Sequence, residues 1–367
     1  MRIILFLCCV MVSSYGSIFY VGSMKSEGIY CSSLNYKTGS LAEFRNVAKL
    51  TRPSFLSIDR KNKRLYSTNL TNWKSPGEIV SFSINNDFSL KKLNQMSSCG
   101  GNPCHLTLSP NKKILFAANY NNQGSVISYQ LDSDGLLNKI ASHKLHFGSG
   151  NHPQRQKEAH AHSIYPHPKY PFVYSADLGA DSIFIYKYDQ HSGELDLIKK
   201  ESLTGEILGP RHMKWDKQGN YLYVLNELDL SLHIFKYVKD GLIQEVKKLN
   251  ALFDNNKNAN LTAAEIRFHP TLPILYTSIR DKDNLNQDKI SVFEVNGDKT
   301  KLINVIPAIV NFPRNFNIDP TGNWMLVAGQ RSKDIAVFSI DSDGIPSYNN
   351  KKYIFPGEPV CIEFLND

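Results

Sequence analysis

The chain has 367 residues, with 42 lysines and arginines against 34 aspartates and glutamates, for a formal net charge of +8. This length would ordinarily suggest two or more domains, and the basic charge would suit a nucleic-acid partner. The lysines, however, are scattered through turns and outer strands and form no basic stripe with interleaved aromatic residues. We therefore interpret them as solvated surface charge and expect no nucleic-acid partner.

The amino-terminal segment has the pattern of a secretory signal. Residues 1–12 combine a basic start with a short apolar run, and small residues follow up to Gly16. The run is too short for a membrane span, so we predict a signal peptide over residues 1–16 and a secreted protein, extracellular or in the lumen of the secretory pathway. The alternative, a buried first strand, is disfavoured because Ile18 already begins a repeat without it.

From residue 17 onward one short phrase recurs at a period of roughly 50 residues, which is the range of a propeller blade. Its seven copies begin at Pro53, Pro103, Ala161, Pro210, Ala263, Pro313 and Pro359. Each clear copy is followed by an apolar strand, an alternating strand, a turn containing Gly and a last, more variable strand. The repeat therefore predicts blades of four strands in a single domain, residues 17–367, with no linker.

The two chain ends complete one blade. The stretch 18–44 supplies a second, third and fourth strand with no first strand before them, and residues 359–364 supply a first strand with nothing after it. Pairing them leaves no open sheet edge. We predict an all-β fold, a seven-bladed β-propeller closed by pairing the C-terminal strand with the N-terminal blade.

The register of the repeats maps a candidate site, because equivalent positions of the innermost strands face one another across the channel. The position after the opening Pro or Ala is occupied, in order, by Cys104, His162, Arg211, Ala264, Arg314 and Val360. Cationic or ionisable groups in three blades at one depth do not suit an apolar plug, since unpaired buried charge is costly. They indicate a receptor for a small anion.

A second register position lies just past the end of the second strand of each blade. It is occupied by Tyr120, Leu178, Glu227, Arg280 and Gln330. Arg211 and Glu227 lie on adjacent strands of one blade and are close enough to pair. The pair is either an ion pair that joins the strands or an acid/base carboxylate whose pKa is set by the arginine.

His160 and His162 are separated by one residue, so both would face the same side of a strand. Two such histidines can hold a divalent ion, but no third ligand set stands at matching register. We therefore expect no metal and no cofactor. The imidazole of His162, acting on a proton or an anion, is the favoured use of this pair.

Cysteines and glycosylation motifs bear on the predicted compartment. After removal of the signal, four cysteines remain: Cys31, Cys99, Cys104 and Cys361. In an oxidising compartment Cys99 could pair with Cys104 and Cys31 with Cys361, or all four could be free buried thiols. Asn69 and Asn260 each begin an Asn-Leu-Thr acceptor motif, and we predict both as glycosylation sites.

Five stretches resemble a known family. They are 160–163 (His-Ala-His-Ser), 176–182 (Ala-Asp-Leu-Gly-Ala-Asp-Ser), the pair 209–212 (Gly-Pro-Arg-His) with 224–228 (Val-Leu-Asn-Glu-Leu), and 313–316 (Pro-Arg-Asn-Phe). Together they look like the lactonase family of seven-bladed propellers. That family contains the propeller-type 6-phosphogluconolactonases and the 3-carboxy-cis,cis-muconate lactonizing enzymes. The resemblance covers essentially the whole mature chain.

The resemblance implies a site in the channel mouth for a small anionic substrate, a phosphorylated or carboxylated lactone such as 6-phosphogluconolactone. The family's histidine, arginine and glutamate match His162, Arg211 and Glu227, which are the predicted catalytic residues. Water would attack the lactone carbonyl with Glu227 or His162 as base, or the same groups would form the lactone in a cyclising enzyme. The predicted substrate-binding residues are Arg280, Arg314, His160, Arg267 and Gln330.

Departures from the pattern leave a second function open. Phosphorylated sugars are intracellular, whereas the predicted signal peptide implies secretion. Ala264 and Val360 also remove two polar positions from the rim. The alternative is a non-catalytic extracellular propeller that keeps the lactonase fold and binds a protein partner.

Overall fold

The computed structural model describes residues 16–70, 76–254 and 260–365. Within these ranges the chain forms 27 β-strands, and its one helical segment is a single 3-10 turn, Gly297–Lys299. No helix in the described ranges is long and apolar enough to cross a membrane. The predicted signal peptide, residues 1–16, lies outside the described residues except for Gly16, which begins the first strand.

The strands follow the predicted repeat along the chain. The first blade contains β1 (Gly16–Ser23), β2 (Gly28–Asn35) and β3 (Arg45–Lys49). The next two contain β4 (Leu56–Asp59), β5 (Arg64–Asn69), β6 (Pro76–Ile84), β7 (Leu90–Leu108), β8 (Ile114–Asn121), β9 (Ser125–Leu131) and β10 (Leu137–Leu145). The fourth contains β11 (Ala161–Pro166), β12 (Phe172–Asp177), β13 (Ser182–Tyr188) and β14 (Leu195–Ser202).

The remaining blades have the same order. The fifth contains β15 (Pro210–Trp215), β16 (Tyr221–Asn226), β17 (Ser231–Tyr237) and β18 (Ile243–Asn250). The sixth contains β19 (Leu261–Phe268), β20 (Ile274–Asp281), β21 (Lys289–Glu294) and β22 (Lys301–Pro307). The seventh contains β23 (Pro313–Ile318), β24 (Trp324–Gly329), β25 (Asp334–Ile340) and β26 (Pro346–Ile354), and the last strand is β27 (Pro359–Phe364).

One strand is shared by two blades. β7 is 19 residues long, and its first part pairs with β6 whereas its second part, from Gly101, pairs with β8. It is therefore the outer strand of the second blade and the inner strand of the third, which joins both blades into one seven-stranded sheet. With the five four-stranded sheets, the described residues form the predicted seven blades of an all-β propeller.

The first blade takes its inner strand from the other end of the chain. β27 pairs antiparallel with β1, with Phe364 opposite Phe19 and Cys361 opposite Gly22. Each inner strand contacts the inner strands of the two neighbouring blades, in the order β4, β7, β11, β15, β19, β23 and β27, with β27 contacting β4 again. The register positions of the repeats therefore face a common channel.

The hydrophobic core lies between adjacent blades, and a repeated hydrogen bond ties them together. Tyr66, Tyr174 and Tyr276 are fully buried on the second strands of their blades, and each hydroxyl donates to the carbonyl of a turn glycine in the next blade. The acceptor of Tyr174 is Gly241, at 2.8 Å, which has φ +84°. The turn needs glycine because a side chain there would be strained and would meet the Phe172 ring.

Candidate functional site

A β-bulge aims the predicted site residues into the channel. On β15, Pro210 pairs with Asn226 and His212 with Leu225, so Arg211 has no partner in the ladder. An extra residue also occurs at the equivalent position of three other inner strands: Cys104, His162 and Arg314. A bulge turns its extra residue out of the normal alternation, and this places the first register position in the channel.

Three of these four residues border an open cavity of about 350 Å³ at one mouth of the channel. Its lining includes the bulge residues Cys104, His162 and Arg314 and the second register position with Tyr120, Glu227, Arg280 and Gln330. Asn102, Arg155, Thr262, Lys282 and Phe312 complete it. The two register positions of the sequence therefore converge on one site, with His162, Glu227 and Arg280 together.

Glu227 is the centre of an ion-pair cluster. Its Oε1 lies 2.8 Å from Arg155 Nη2, and its Oε2 lies 2.9 Å from Arg211 Nε and 3.1 Å from Arg280 Nη2. Burial by itself raises the pKa of Glu227, but Arg280, Arg155 and Arg211 outweigh it and hold the pKa well below its usual range. The carboxylate is therefore permanently ionised and a weak base, with both oxygens already bound.

Arg211 lies behind this carboxylate and does not line the cavity. It is 2% exposed and borders a void of only about 10 Å³ beneath the site. Its Nη1 donates to the Ala264 carbonyl, in the neighbouring blade. Arg211 therefore holds Glu227 and ties two inner strands together, and a substrate in the open cavity does not reach it directly.

His162 is a buried, neutral imidazole at the wall of the cavity. Burial, and then the charge of Arg211, lowers its pKa well below the usual value, so the ring carries no proton charge at neutral pH. Its Nδ1 is buried without a hydrogen-bond partner in the described part of the chain. The ring also lines the cavity, and a neutral imidazole at that place is suited to accept a proton from a bound water.

Arg314 is a guanidinium group of the cavity with no anion of its own. It is half-buried on β23 and makes no ion pair or side-chain hydrogen bond within residues 16–70, 76–254 and 260–365. Burial and the nearby Arg211 lower its pKa to about 10, so it remains cationic at neutral pH. Arg314 is therefore the group best placed to bind an incoming phosphate or carboxylate.

Two aromatic side chains shape the cavity walls. Tyr120 stacks on His160 with ring centroids 4.4 Å apart and meets the edge of His162 at 5.4 Å. Its hydroxyl accepts a 3.1 Å hydrogen bond from Arg155. Phe312 lies against the guanidinium of Arg280, whose carbon is 4.9 Å from the ring centroid. Both rings therefore hold charged or ionisable site residues in place.

Three predicted substrate-binding residues differ in their placement. Gln330 lines the cavity and its amide donates to Glu358 at 3.3 Å. His160 does not line it, because its Nδ1 donates to the Tyr120 carbonyl at 2.8 Å and its ring supports Tyr120. Arg267, which was predicted at the substrate site, does not line this cavity. It lies three residues beyond the bulge, about 10 Å along the strand. There it pairs with Glu363 at 2.7 Å, near the other mouth of the channel.

Sequence reasoning missed four lining residues of weight, Arg155, Phe312, Lys282 and Asn102. Arg155 comes from the irregular segment between β10 and β11, and the repeat gives no register for such a segment. Phe312 lies just before the repeated Pro313 and has a φ of +62°, which is rare for a bulky residue. A positively charged residue in a long inter-blade loop was the only available signal for Arg155.

The remaining predicted positions lie outside the cavity. Among the described residues all four cysteines are free thiols, which selects the unpaired alternative. Asn69 is buried and its amide donates to Glu78 at 2.7 Å, so this side chain is committed inside the fold. Asn260 is exposed and its amide donates to Asp283 at 3.1 Å. No group of three or more metal-ligating side chains occurs in the described ranges.

Comparison with known proteins agrees with this fold. The family model described as "Lactonase, 7-bladed beta-propeller" matches residues 12–364, and the chain belongs to this family. It is 30% identical over 331 residues to the 6-phosphogluconolactonase of Formosa agariphila, covering 88% of this chain and 92% of that protein. It is 28% identical to the 6-phosphogluconolactonase of Bacillus subtilis, covering 95% and 98% of the two chains.

Solved structures share the architecture. The periplasmic gluconolactonase PpgL of Pseudomonas aeruginosa superimposes with a TM-score of 0.87 at 24% identity, over 96% of this chain and 99% of that one. A protein from Lactobacillus plantarum gives a TM-score of 0.86 at 24% identity, over 96% and 100%. At this level of identity the two structures establish the fold.

Proposed function

We propose that this protein hydrolyses the lactone of a small anionic sugar acid, such as 6-phosphogluconolactone, at the cavity of about 350 Å³. The observation that carries the proposal is the combination of an unpaired guanidinium, Arg314, with a neutral imidazole, His162, in one open cavity. Names of relatives that share most of the chain support the same reaction. Glu227 and its three arginines supply the scaffold.

The chemistry follows from the protonation states. His162 takes a proton from a water as the water oxygen bonds to the lactone carbonyl carbon. The developing oxyanion is stabilised by cationic donors of the cavity, Arg280 and Arg155, and the ring C–O bond then breaks. The ring oxygen leaves as a hydroxyl after receiving a proton from His162, so that water is added across the ester bond.

Glu227 and Arg211 have supporting roles in this proposal, although the sequence predicts both as catalytic residues. Glu227 is ionised but bound at both oxygens, so it is a poorer base than His162. We propose that it fixes the positions of Arg155 and Arg280, and that Arg211 fixes Glu227. Arg314, with Lys282 at the exposed rim, binds the phosphate or carboxylate of the substrate.

The proposal is tested by enzyme-catalysed hydrolysis of 6-phosphogluconolactone and of unphosphorylated gluconolactone, each corrected for spontaneous opening. His162→Gln should lower kcat by about 100-fold or more with both lactones. Arg314→Gln should raise KM about tenfold or more for the phosphorylated lactone and much less for the neutral one. Lys91→Ala, on an exposed outer strand, serves as the control. No hydrolysis of either lactone by the native protein would reject the reaction and leave a binding propeller.

We further propose that the protein is secreted, as the segment 1–16 predicts, with Asn260 as an exposed glycan acceptor. The observation that favours Asn260 over Asn69 is exposure of its side chain. Amino-terminal sequencing of the protein from the culture medium and from cell lysate tests both statements together with the glycan mass. A mature chain that retains residue 1 inside the cell would contradict secretion.

A further inference from the structure

A second ring of polar side chains lies at the other mouth of the channel. It is formed by the position three residues beyond the bulge on the inner strands, and includes Thr107, Tyr165, Lys214, Arg267, Asn317 and Glu363. These residues border two adjoining cavities of about 230 and 580 Å³, both lined by Lys214 and Arg267. Neither cavity shares a lining residue with the site described above.

Closely packed aromatic rings separate the two mouths. The ring of His105 lies 4.4 Å from that of Phe55 and 5.4 Å from that of His212, with distances taken between centroids. His212 in turn lies 5.3 Å from His162 of the first site. These buried side chains fill the channel between its two mouths, so a small molecule bound at one mouth does not contact the residues of the other mouth.

Arg267 and Lys214 differ sharply in their partners. Arg267 lies 2.7 Å from Glu363 and 3.6 Å from Glu265, so its charge is balanced. Lys214 is half-buried, with Nζ 4.6 Å from the centroid of the Tyr165 ring, and no carboxylate lies within ion-pair distance of it in the described structure. Burial and the charge of Arg267 lower the pKa of Lys214 to about 8. An uncompensated cation therefore borders this mouth.

Tyr165 adds an uncommitted donor beside this cation. The residue is 8% exposed, and its hydroxyl is buried with no hydrogen-bond partner among the described residues. Burial raises the pKa of the phenol, so it keeps its proton, and a partner that satisfies the hydroxyl must come from outside the described residues. A buried polar atom without a partner is unfavourable, and a ligand oxygen would remove that cost.

We propose that this mouth is a second anion-binding site, in which the Lys214 ammonium and the Tyr165 hydroxyl bind one carboxylate or phosphate group of a small molecule. Arg267, held by Glu363, forms a fixed wall of the site. The proposal is independent of lactone hydrolysis, because no residue is shared between the two cavities.

The test measures how fast the Lys214 amine reacts with an acetylating reagent at a pH near its pKa. Peptide mass spectrometry measures the extent of acetylation. Inorganic phosphate and acetate are the two probes, and the exposed Lys236 is the internal control. Binding should slow acetylation of Lys214 by about fivefold or more at saturation, since a charge-assisted hydrogen bond must be broken first. Stronger protection by acetate identifies a carboxylate site, and stronger protection by phosphate identifies a phosphate site.

Variants separate this site from the first one. Tyr165→Phe should weaken binding of the protecting anion about tenfold, because one hydrogen-bond donor is lost. Arg314→Gln should leave the protection of Lys214 unchanged. Lys214→Gln should keep native lactone turnover. Equal acetylation of Lys214 with and without either anion would overturn the proposal, as would protection that disappears in Arg314→Gln. If Lys214 resists acetylation altogether, anion binding is measured by calorimetry instead. Identical binding by the native protein and by Lys214→Gln would then overturn the proposal.

Discussion

Glu227 shows how one residue can be essential without being the base. It accepts from Arg155, Arg211 and Arg280, three side chains that come from a loop and from the fifth and sixth blades. A carboxylate with its charge shared among three guanidinium groups has little proton affinity. Loss of activity in a Glu227 variant would therefore indicate that these three arginines have lost their positions.

Replacement of Glu227 by Gln should cost about 3–5 kcal/mol of unfolding free energy, because it leaves buried guanidinium groups without their counter-ion. Urea unfolding measures this loss. The matched control is Glu294→Gln, which breaks an exposed 2.9 Å pair with Lys301 and should change stability by less than about 1 kcal/mol. Equal stability of the Glu227 variant and the native protein would show that the cluster is not a structural unit.

The channel histidines make stability depend on pH. Burial lowers the pKa of His105, His162 and His212 well below the usual value, so in acid the unfolded chain binds protons that the folded chain does not. The free energy of unfolding is therefore highest above the histidine pKa of the unfolded chain, about 6.5. It falls as the pH drops below that value, by about 1.4 kcal/mol per pH unit for each histidine.

Replacing His105 by Phe should flatten this dependence by the share of one histidine, about 1.4 kcal/mol per pH unit between pH 6 and 5. The comparison is made by urea unfolding at several pH values. The native protein, measured under the same conditions, gives the reference slope. A His105 variant with the native slope would mean that this ring is protonated in the fold.

At the scale of elements, the blade is the unit that repeats, and contacts between blades make it stable. The tyrosine on the second strand reaches the glycine turn of the next blade at three places in the described structure. Each acceptor glycine has a positive φ, and its carbonyl accepts from the tyrosine of the previous blade. The hydrogen bond thus ties neighbouring blades together and closes a buried polar pair.

Tyr174→Phe removes the 2.8 Å bond to Gly241 and should cost about 1–2 kcal/mol, since a buried carbonyl is left without its donor. Tyr36→Phe is the control, because the Tyr36 hydroxyl makes no bond within the described ranges. Chemical denaturation of both variants measures the difference. A Tyr174 variant as stable as the Tyr36 variant would argue against a role for these bonds.

For the whole molecule, the pairing of β27 with β1 joins residues more than 300 positions apart. A chain that stops at residue 358 would lack the inner strand of the first blade and would expose the edge of β1. We expect this chain to aggregate or to elute as an expanded species in size-exclusion chromatography. Adding a peptide of residues 359–365 should restore a monomer, and a truncated chain that is already a native monomer would contradict the expectation.

The site residues that sequence reasoning found are those carried by the repeat. His162, Arg211, Glu227, Arg280, Arg314 and Gln330 occupy two register positions, and strand geometry brings five of them to one cavity. Arg267 was placed at the wrong mouth because periodicity identifies a strand but not the end of the channel that a side chain reaches. Arg155 was missed because a loop has no register.

The sequence by itself determined the number of blades, the composite blade of the two chain ends and the inner-strand positions, because each depends on local periodicity. Beyond the predicted Arg211–Glu227 pair, only the tertiary structure decided which charges meet. Glu227 binds three arginines, since a loop, a bulge and two neighbouring blades converge at that point, whereas Arg314 pairs with no carboxylate among the described residues. Such convergence depends on distances across the channel, and no pattern along the chain records those distances.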